Sequence, residues 1–93
     1  MFNIDASNKF LKDLRLLKKR SVKDLAALKE IISLLAENGH RAIPPKHVPH
    51  KLSGKYKGYW ECHVKPDLLL IWEEKETLRL IELVRTGTHS DLF

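Results

Sequence analysis

The sequence predicts an α+β fold in which a two-helix hairpin packs on an antiparallel β-sheet. Apolar residues recur at a helical spacing across residues 8–38, whereas strand-like runs separated by turn residues follow from Trp60 onward. Three prolines within residues 40–50 divide these two regions. Because 93 residues are enough for one modest core, we expect a single domain over residues 1–93.

Two helices are predicted near the N-terminus, after a short strand at Phe2-Asn3-Ile4. Ser7 is a suitable N-cap for a helix over about residues 8–20. Ser21 is a suitable N-cap for a second helix, which ends at Asn38-Gly39. Each helix has one apolar stripe, so the hairpin must rest on an apolar surface, and the sheet is the only candidate.

Residues 40–50 are predicted to be extended, because their three prolines disfavour helix. His40, His47 and His50 lie in this segment. A loop histidine is more often a surface residue than a ligand, the spacings match no zinc finger, and there is no second cysteine. We therefore predict no metal and no cofactor.

Three strands are predicted to form a meander in the second half of the chain. Residues 60–64 and 68–72 are joined by the turn Lys65-Pro66-Asp67, since proline and aspartate favour turns. The second of these strands is apolar on both faces, which predicts a central strand covered by helices. The remaining segments are a solvated turn over residues 73–76, a third strand over residues 78–84, and a tail over residues 85–93 that docks against the sheet.

The first strand of the meander carries ionisable groups on one face. Alternation places Glu61 and His63 on the same side of the strand and Trp60 on the other. Just before this strand, three basic residues alternate with aromatic residues: Lys51, Lys55 and Lys57. This pattern is typical of a surface that contacts RNA phosphates through lysine and stacks bases on aromatic rings. The alternative is a hairpin with a polar outer face and its aromatic rings packed inward.

The formal net charge of +5 is unevenly distributed along the chain. Residues 1–60 contain 13 Lys/Arg and 5 Asp/Glu, whereas residues 61–93 contain 4 and 7. A basic half predicts an anionic partner, or else a solvated helical face. No apolar run is long enough to cross a membrane, no secretory signal is visible, and the single cysteine cannot form an internal disulfide. We therefore expect a cytoplasmic protein without a membrane partner.

Six residues between positions 50 and 89 are candidates for the chemistry: His50, Glu61, His63, Asp67, Arg85 and His89. Metal-free RNA cleavage needs a base for the 2′-hydroxyl proton, a cation for the charge on the phosphorane, and an acid for the leaving 5′-oxygen. Histidine suits both proton-transfer roles because its ordinary pKa lies near neutrality. Sequence spacing alone does not establish that these residues meet in space.

Four motifs follow one another along the chain: His50-x-Leu52-x-Gly54, Lys57-Gly58-Tyr59, His63-x-x-Pro66-Asp67 and Arg85-Thr86-Gly87-Thr88-His89-Ser90-x-Leu92-Phe93. In this order they resemble the YafQ branch of the RelE superfamily of bacterial toxins. The last motif is the most specific, whereas the helical region is similar to the family only in pattern. The resemblance covers nearly the whole chain and implies a RelE-like, microbial-ribonuclease-type fold with two helices on an antiparallel sheet.

The same resemblance implies an activity and a set of partners. The activity is endonucleolytic cleavage of mRNA, typically during translation in the ribosomal A site. The implied partners are the ribosome, mRNA and a cognate antitoxin that blocks the toxin in a hetero-oligomer.

The resemblance also implies roles for particular residues. The acid–base constellation of the family falls on His50, His63, Asp67 and His89. Arg85 would support the transition-state phosphate, Phe93 would help to place the mRNA, and Glu61 would support the substrate site with the three lysines. The chain departs from the family at Leu68, where YafQ toxins have tryptophan after the Pro-Asp pair.

Three function classes remain open from the sequence. The leading hypothesis is a toxin that cleaves mRNA on the ribosome. A ParE-like toxin that acts on DNA gyrase would share the fold but would not need the histidines. A basic nucleic-acid-binding module would bind in a salt-dependent manner without cleaving.

Overall fold

A computed structural model describes residues 1–93, and its centre is a five-stranded sheet. The strands are β1 (Asn3–Ala6), β2 (His50–Lys51), β3 (Trp60–Lys65), β4 (Leu68–Lys75) and β5 (Leu80–Gly87). The helices are α1 (Asn8–Arg20), α2 (Val22–Asn38) and the short α3 (His89–Leu92). The spatial order of the strands is β1-β5-β4-β3-β2. The predicted α+β fold, with a helical hairpin on a sheet, is confirmed.

The sheet is mixed, whereas the prediction was a purely antiparallel sheet. The meander of β3, β4 and β5 is antiparallel as predicted, and β2 pairs antiparallel with β3. The exception is β1, which runs parallel to β5 at the edge of the sheet. Almost the whole chain separates these two strands, so no local sequence pattern could reveal their pairing or its direction.

Serine caps define the start of both long helices. The Oγ of Ser7 accepts a hydrogen bond from the N–H of Phe10 at 3.0 Å. The Oγ of Ser21 accepts one from the N–H of Asp24 at 3.1 Å. The carboxylate of Asp24 forms an ion pair with Lys65 at 2.8 Å. That ion pair joins the start of α2 to the end of β3.

Gly39 ends α2 at a point where the chain approaches the sheet closely. Its φ is +62°, and a Cβ at this position would lie 2.8 Å from Oε1 of Glu74. The side chain of Glu74 is only 4% exposed and bonds to the N–H and Nδ1 of His40 and to Nε1 of Trp72. The predicted solvated turn over residues 73–76 is therefore wrong, because these contacts bury Glu74 within a continuous β4.

The hairpin of α1 and α2 covers only one face of the sheet. Fourteen buried residues form the main core on that face, including Phe10, Leu28 and Trp72. A smaller core on the opposite face consists of Tyr56, Leu69, Ile71 and Leu92. Residues 68–72 are therefore buried on both sides as predicted, but a loop residue and the short α3 replace helices on the second side.

Two other predicted segments differ in the structure. The predicted extended segment contains two 3₁₀ turns, Gly39–Ala42 and Pro45–His47. Proline is compatible with the start of such a turn, where its missing N–H is not needed. The last strand begins at Leu80 and continues to Gly87, so Arg85 belongs to a strand and not to a tail. No helix of this chain is both long and apolar enough to span a membrane.

Candidate active site

The sheet face opposite the helical hairpin carries most of the predicted catalytic residues. Directly opposed residues on antiparallel strands place their side chains on the same face. One row across the sheet contains His50, Glu61, Ile71 and Arg85, and the adjacent row contains His63, Leu69 and Gly87. Because Leu69 and Ile71 belong to the smaller core, this is the face that α1 and α2 leave free.

His50 is fixed by a contact at each ring nitrogen. Its Nδ1 lies 2.7 Å from the carbonyl oxygen of Val48, which can only accept, so Nδ1 carries a proton. Its Nε2 lies 3.3 Å from Oε1 of Glu61. Val48 itself has a φ of +50°, a rare conformation for a β-branched residue. The loop thus holds the His50 ring with Nδ1 on the Val48 carbonyl and Nε2 toward Glu61.

Glu61 is buried, which corrects the prediction that it contacts substrate. The residue is 6% exposed, and its Oε2 has no hydrogen-bond partner. Its Oε1 faces Nε2 of His50, which is the only charged group that the carboxylate pairs with. Glu61 therefore acts on a neighbouring histidine and is not itself open to RNA.

His63 lies next to His50 on the same face. The centroids of the two rings are 6.5 Å apart, and their planes are inclined by 27°. The carbonyl oxygen of His63 is 2.7 Å from Nδ1 of His47, a contact that ties the preceding loop to β3. His63 also lines a cavity of about 450 Å³ together with His47, Lys46 and Lys65. Two imidazoles and two cations therefore surround one region of the surface.

Arg85 is held by the carboxylate of Asp13. Its Nε and Nη2 donate to the two carboxylate oxygens of Asp13 on α1, at 2.7 and 3.1 Å. These bonds raise the pKa of Arg85 above its ordinary value, with a smaller contribution from the nearby Tyr56, so the guanidinium is always charged.

A β-bulge sets the direction of the Arg85 side chain. Ile71 pairs with Arg85 whereas the next residue, Trp72, pairs with Leu83, so Val84 is an extra residue in β5. Bulges of this kind re-aim the side chains beside them. Val84 packs on the smaller core and Arg85 pairs with Ile71 of that core, so both side chains lie on the free face.

The short helix α3 brings His89 and Phe93 to the same region. Thr88 begins this helix with a complete capping box. The ring centroids of His89 and Phe93 are 4.9 Å apart, and Phe93 meets Tyr56 edge-on at 5.8 Å. Phe93 thus lies between His89 and Tyr56, which belongs to the smaller core on the free face.

Asp67 is the predicted catalytic residue that no side-chain contact connects to the others. It is exposed in the turn between β3 and β4. Leu68, the next residue, is 3% exposed and packs in the main core. The position where the family has tryptophan therefore cannot stack a base in this chain.

The three predicted substrate-binding lysines do not lie on one face. Lys51 pairs in the sheet with Trp60, and its Nζ lies 5.8 Å from the centroid of that ring, on the side of the main core. The Nζ of Lys55 lies 5.4 Å from the centroid of Tyr56, in the smaller core. Lys57 is exposed. Strand alternation explains the position of Lys51, because it directly follows a histidine of the free face.

The predicted catalytic residues do not line a single cavity. His63 lines the cavity described above, whereas Arg85 lines a second cavity of about 160 Å³ with Asp13, Arg20 and Asp91. The two cavities share no lining residue. The predicted catalytic residues are thus distributed along a sheet face. This arrangement suits a polymer that crosses several strands better than a small molecule enclosed in one pocket.

Two residues of this region, Asp13 and Tyr56, are absent from the sequence-based prediction. Asp13 reads as one polar residue of an amphipathic helix, and Tyr56 reads as an exposed base-stacking ring. Only the packing of α1 against β5 and of the loop against the free face gives them their contacts.

The single cysteine lies away from the free face. Cys62 is fully buried, and burial raises the pKa of its thiol to about 12, with a smaller contribution from the Glu61 carboxylate. No group of three or more His, Cys, Asp or Glu side chains is placed to hold a metal ion. The free face itself carries histidines, which can transfer protons, and an arginine, which can stabilise negative charge.

Comparisons with known proteins agree with this geometry. The family model YafQ_toxin, described as a bacterial toxin of type II toxin-antitoxin systems, matches residues 2–93. The mRNA interferase toxin YafQ of Escherichia coli K12 is 41% identical over 91 residues, which are 98% of this chain and 95% of that protein. The crystal structure of YafQ from E. coli BL21(DE3) matches this chain with a TM-score of 0.88 at 36% identity. The match covers 100% of this chain and 99% of that chain. YafQ in the E. coli DinJ-YafQ complex has a TM-score of 0.86 at 38% identity, with the same coverage.

A helical hairpin on a mixed sheet, with histidines and an arginine on the free face, defines a small RelE-like bacterial toxin. Within that class, the chain belongs to the YafQ family of type II toxin–antitoxin toxins. The family predicted from the four motifs is confirmed.

Proposed function

We propose that this protein is an endoribonuclease that cleaves mRNA and thereby inhibits translation. The observation that carries the proposal is the row of His50, Glu61 and Arg85 across the free face, with His63 beside it. Relatives at 41% identity that are named mRNA interferase toxins support the same reaction. The products are an upstream RNA fragment and a downstream fragment with a 5′-hydroxyl.

The reaction begins when a base removes the proton of the 2′-hydroxyl, whose oxygen then attacks the adjacent phosphate. Charge accumulates on the phosphorane oxygens, and Arg85 stabilises that charge through N–H groups that Asp13 leaves free. The P–O5′ bond breaks as an acid protonates the leaving oxygen. Two imidazoles whose centroids are 6.5 Å apart are suitably spaced to serve opposite sides of one phosphate.

Proton transfer falls to the histidines jointly. The Glu61 carboxylate, 3.3 Å from Nε2 of His50, favours the acid role for His50. His63 has no such carboxylate contact, which favours the base role for His63. His89, next to Phe93, supports proton transfer at the Arg85 side of the site, and exposed Asp67 orients substrate at the end of β3.

The partners are mRNA, the ribosome and a cognate antitoxin. The basic residues of α1 and α2 supply a cationic surface outside the active face, which suits contact with ribosomal RNA. The E. coli DinJ-YafQ complex supports an antitoxin partner for this chain as well. We expect the antitoxin to form a hetero-oligomer with this chain and to block the free face of the sheet.

The test is translation in vitro with purified protein, followed by primer extension on the message. New internal 5′ ends are expected with the wild type and not with His63→Ala. The same message without ribosomes separates the two possible settings, because ribosome-dependent cleavage disappears in that arm. An intact message in both settings would refute the nuclease, and inhibited DNA supercoiling by gyrase in parallel would favour a ParE-like toxin.

A further inference from the structure

The Asp13 carboxylate binds both the side chain and the backbone of β5. Its Oδ2 accepts hydrogen bonds from Nε of Arg85 at 2.7 Å and from the N–H of Thr86 at 3.1 Å. Its Oδ1 accepts one from Nη2 of Arg85 at 3.1 Å. The backbone bond fixes the carboxylate relative to the strand, and the two side-chain bonds fix the plane of the guanidinium.

The arginine retains hydrogen-bond donors for a ligand. A guanidinium has five N–H groups, of which Asp13 accepts two. Three N–H groups remain, and bidentate binding of a phosphate requires two. Asp13 therefore constrains Arg85 without saturating it.

The position of Asp13 favours a role beyond stability. Phe10 and Leu17 of the same helix are already buried in the main core, and Ser7 bonds to the carbonyl of Val84, so α1 is attached to β5 without the ion pair. Ion pairs that are largely withdrawn from water add little net stability, because desolvation offsets their attraction. In this case the side chains of Arg85 and Asp13 are only 19% and 14% exposed.

We infer that Asp13 is a positioning residue that holds Arg85 in the orientation needed to bind the phosphate during RNA cleavage. This inference rests on the proposed ribonuclease function. A free arginine side chain samples many rotamers, so a fixed guanidinium saves the ordering cost when the phosphorane forms. Asp13 itself contacts neither RNA nor a reacting atom.

The test is a double-mutant cycle that measures cleavage by Asp13→Asn, Arg85→Ala and the double variant. We expect Asp13→Asn to lower kcat roughly ten- to a hundredfold with little change in KM, since small misplacements of catalytic groups have effects of this size. On the Arg85→Ala background the same substitution should change kcat less than about twofold. Asp5→Asn is the matched control, because this exposed carboxylate bonds only to the adjacent N–H of Ala6.

A purely structural role for Asp13 gives a different pattern. Its loss would then lower activity by the same factor on both backgrounds, and that additive outcome would overturn the inference while leaving the nuclease intact. Asp13→Glu, which keeps the charge but moves the carboxylate by one methylene, serves if Asp13→Asn unfolds. Full activity in Asp13→Glu would also overturn the inference. An inactive wild type would instead refute the proposed function, and the inference with it.

Discussion

Replacement of Glu61 by glutamine should lower the rate of cleavage without lowering the free energy of unfolding. The carboxylate is buried, and its one charged partner is Nε2 of His50 at 3.3 Å. Because the His50 side chain is 41% exposed, water screens this pair, and its interaction is worth about 1 kcal/mol. If this amount is lost only when His50 must be protonated, the rate should fall roughly fivefold, at about 1.4 kcal/mol per factor of ten.

The same substitution should leave the fold intact or make it more stable. Oε2 of Glu61 is buried without a partner, so the native state carries the cost of an incompletely solvated charge. A neutral amide of the same size reduces that cost, and we expect the free energy of unfolding to stay equal or to rise by about 1 kcal/mol.

Two measurements are needed on one preparation: the rate of message cleavage and urea denaturation followed by tryptophan fluorescence. Glu30→Gln, on the exposed surface of α2, controls for the loss of one negative charge. Unchanged cleavage by Glu61→Gln would refute the role of Glu61 as the partner of His50. A parallel fall in stability and activity would mean that the carboxylate is structural.

Three further predictions follow from buried or paired groups. Cys62 is fully buried, and burial raises the pKa of its thiol to about 12. Iodoacetamide at about pH 8 should therefore label this thiol only after denaturation, as measured by mass spectrometry. Rapid labelling of the folded protein would contradict this burial. Leu68→Trp should lower the free energy of unfolding by about 1–3 kcal/mol through overpacking of the core, and a neutral effect in urea denaturation would argue against it. The pKa of Asp91 lies below its ordinary value of 3.8, through the backbone N–H of Thr88 first and then Arg20. Its contribution to stability is therefore present above about pH 4 and is lost as the pH falls through the folded pKa, so acid-unfolding curves of wild type and Asp91→Asn should converge at low pH; a constant separation would exclude this linkage.

Local rules were sufficient for the elements whose causes are local. Ser7 and Ser21 begin helices because their hydroxyls satisfy N–H groups three residues away. The Pro66-Asp67 turn joins two strands because it fits a tight hairpin. Period-two alternation also placed Glu61 and His63 on one face, and the sheet register agrees.

Long-range packing explains what the sequence did not reveal. In the sequence, Glu74 looks like part of a charged turn. In the structure its carboxylate bonds to the distant His40 and to the nearby Trp72, and these contacts bury it in β4. The parallel pairing of β1 with β5 likewise depends on the path of the entire chain. Asp13 is recognisable as a site residue only after α1 has packed beside β5.

The motifs name residues whose surroundings only the fold shows. His50, His63 and Arg85 lie on one face because they fall on paired strands. The motifs could not show that Glu61 is covered, because burial depends on packing and not on residue type.

The most direct test of acid–base cleavage is a translated message with a single 2′-deoxynucleotide at the mapped cleavage position. The proposed mechanism uses the 2′-hydroxyl oxygen as the nucleophile, so cleavage at that position should disappear while other positions are still cut. On an unmodified message, the upstream fragment should end in a 2′,3′-cyclic phosphate and the downstream fragment should begin with a 5′-hydroxyl. Undiminished cleavage at the deoxynucleotide would contradict the roles proposed for His50, His63 and Arg85.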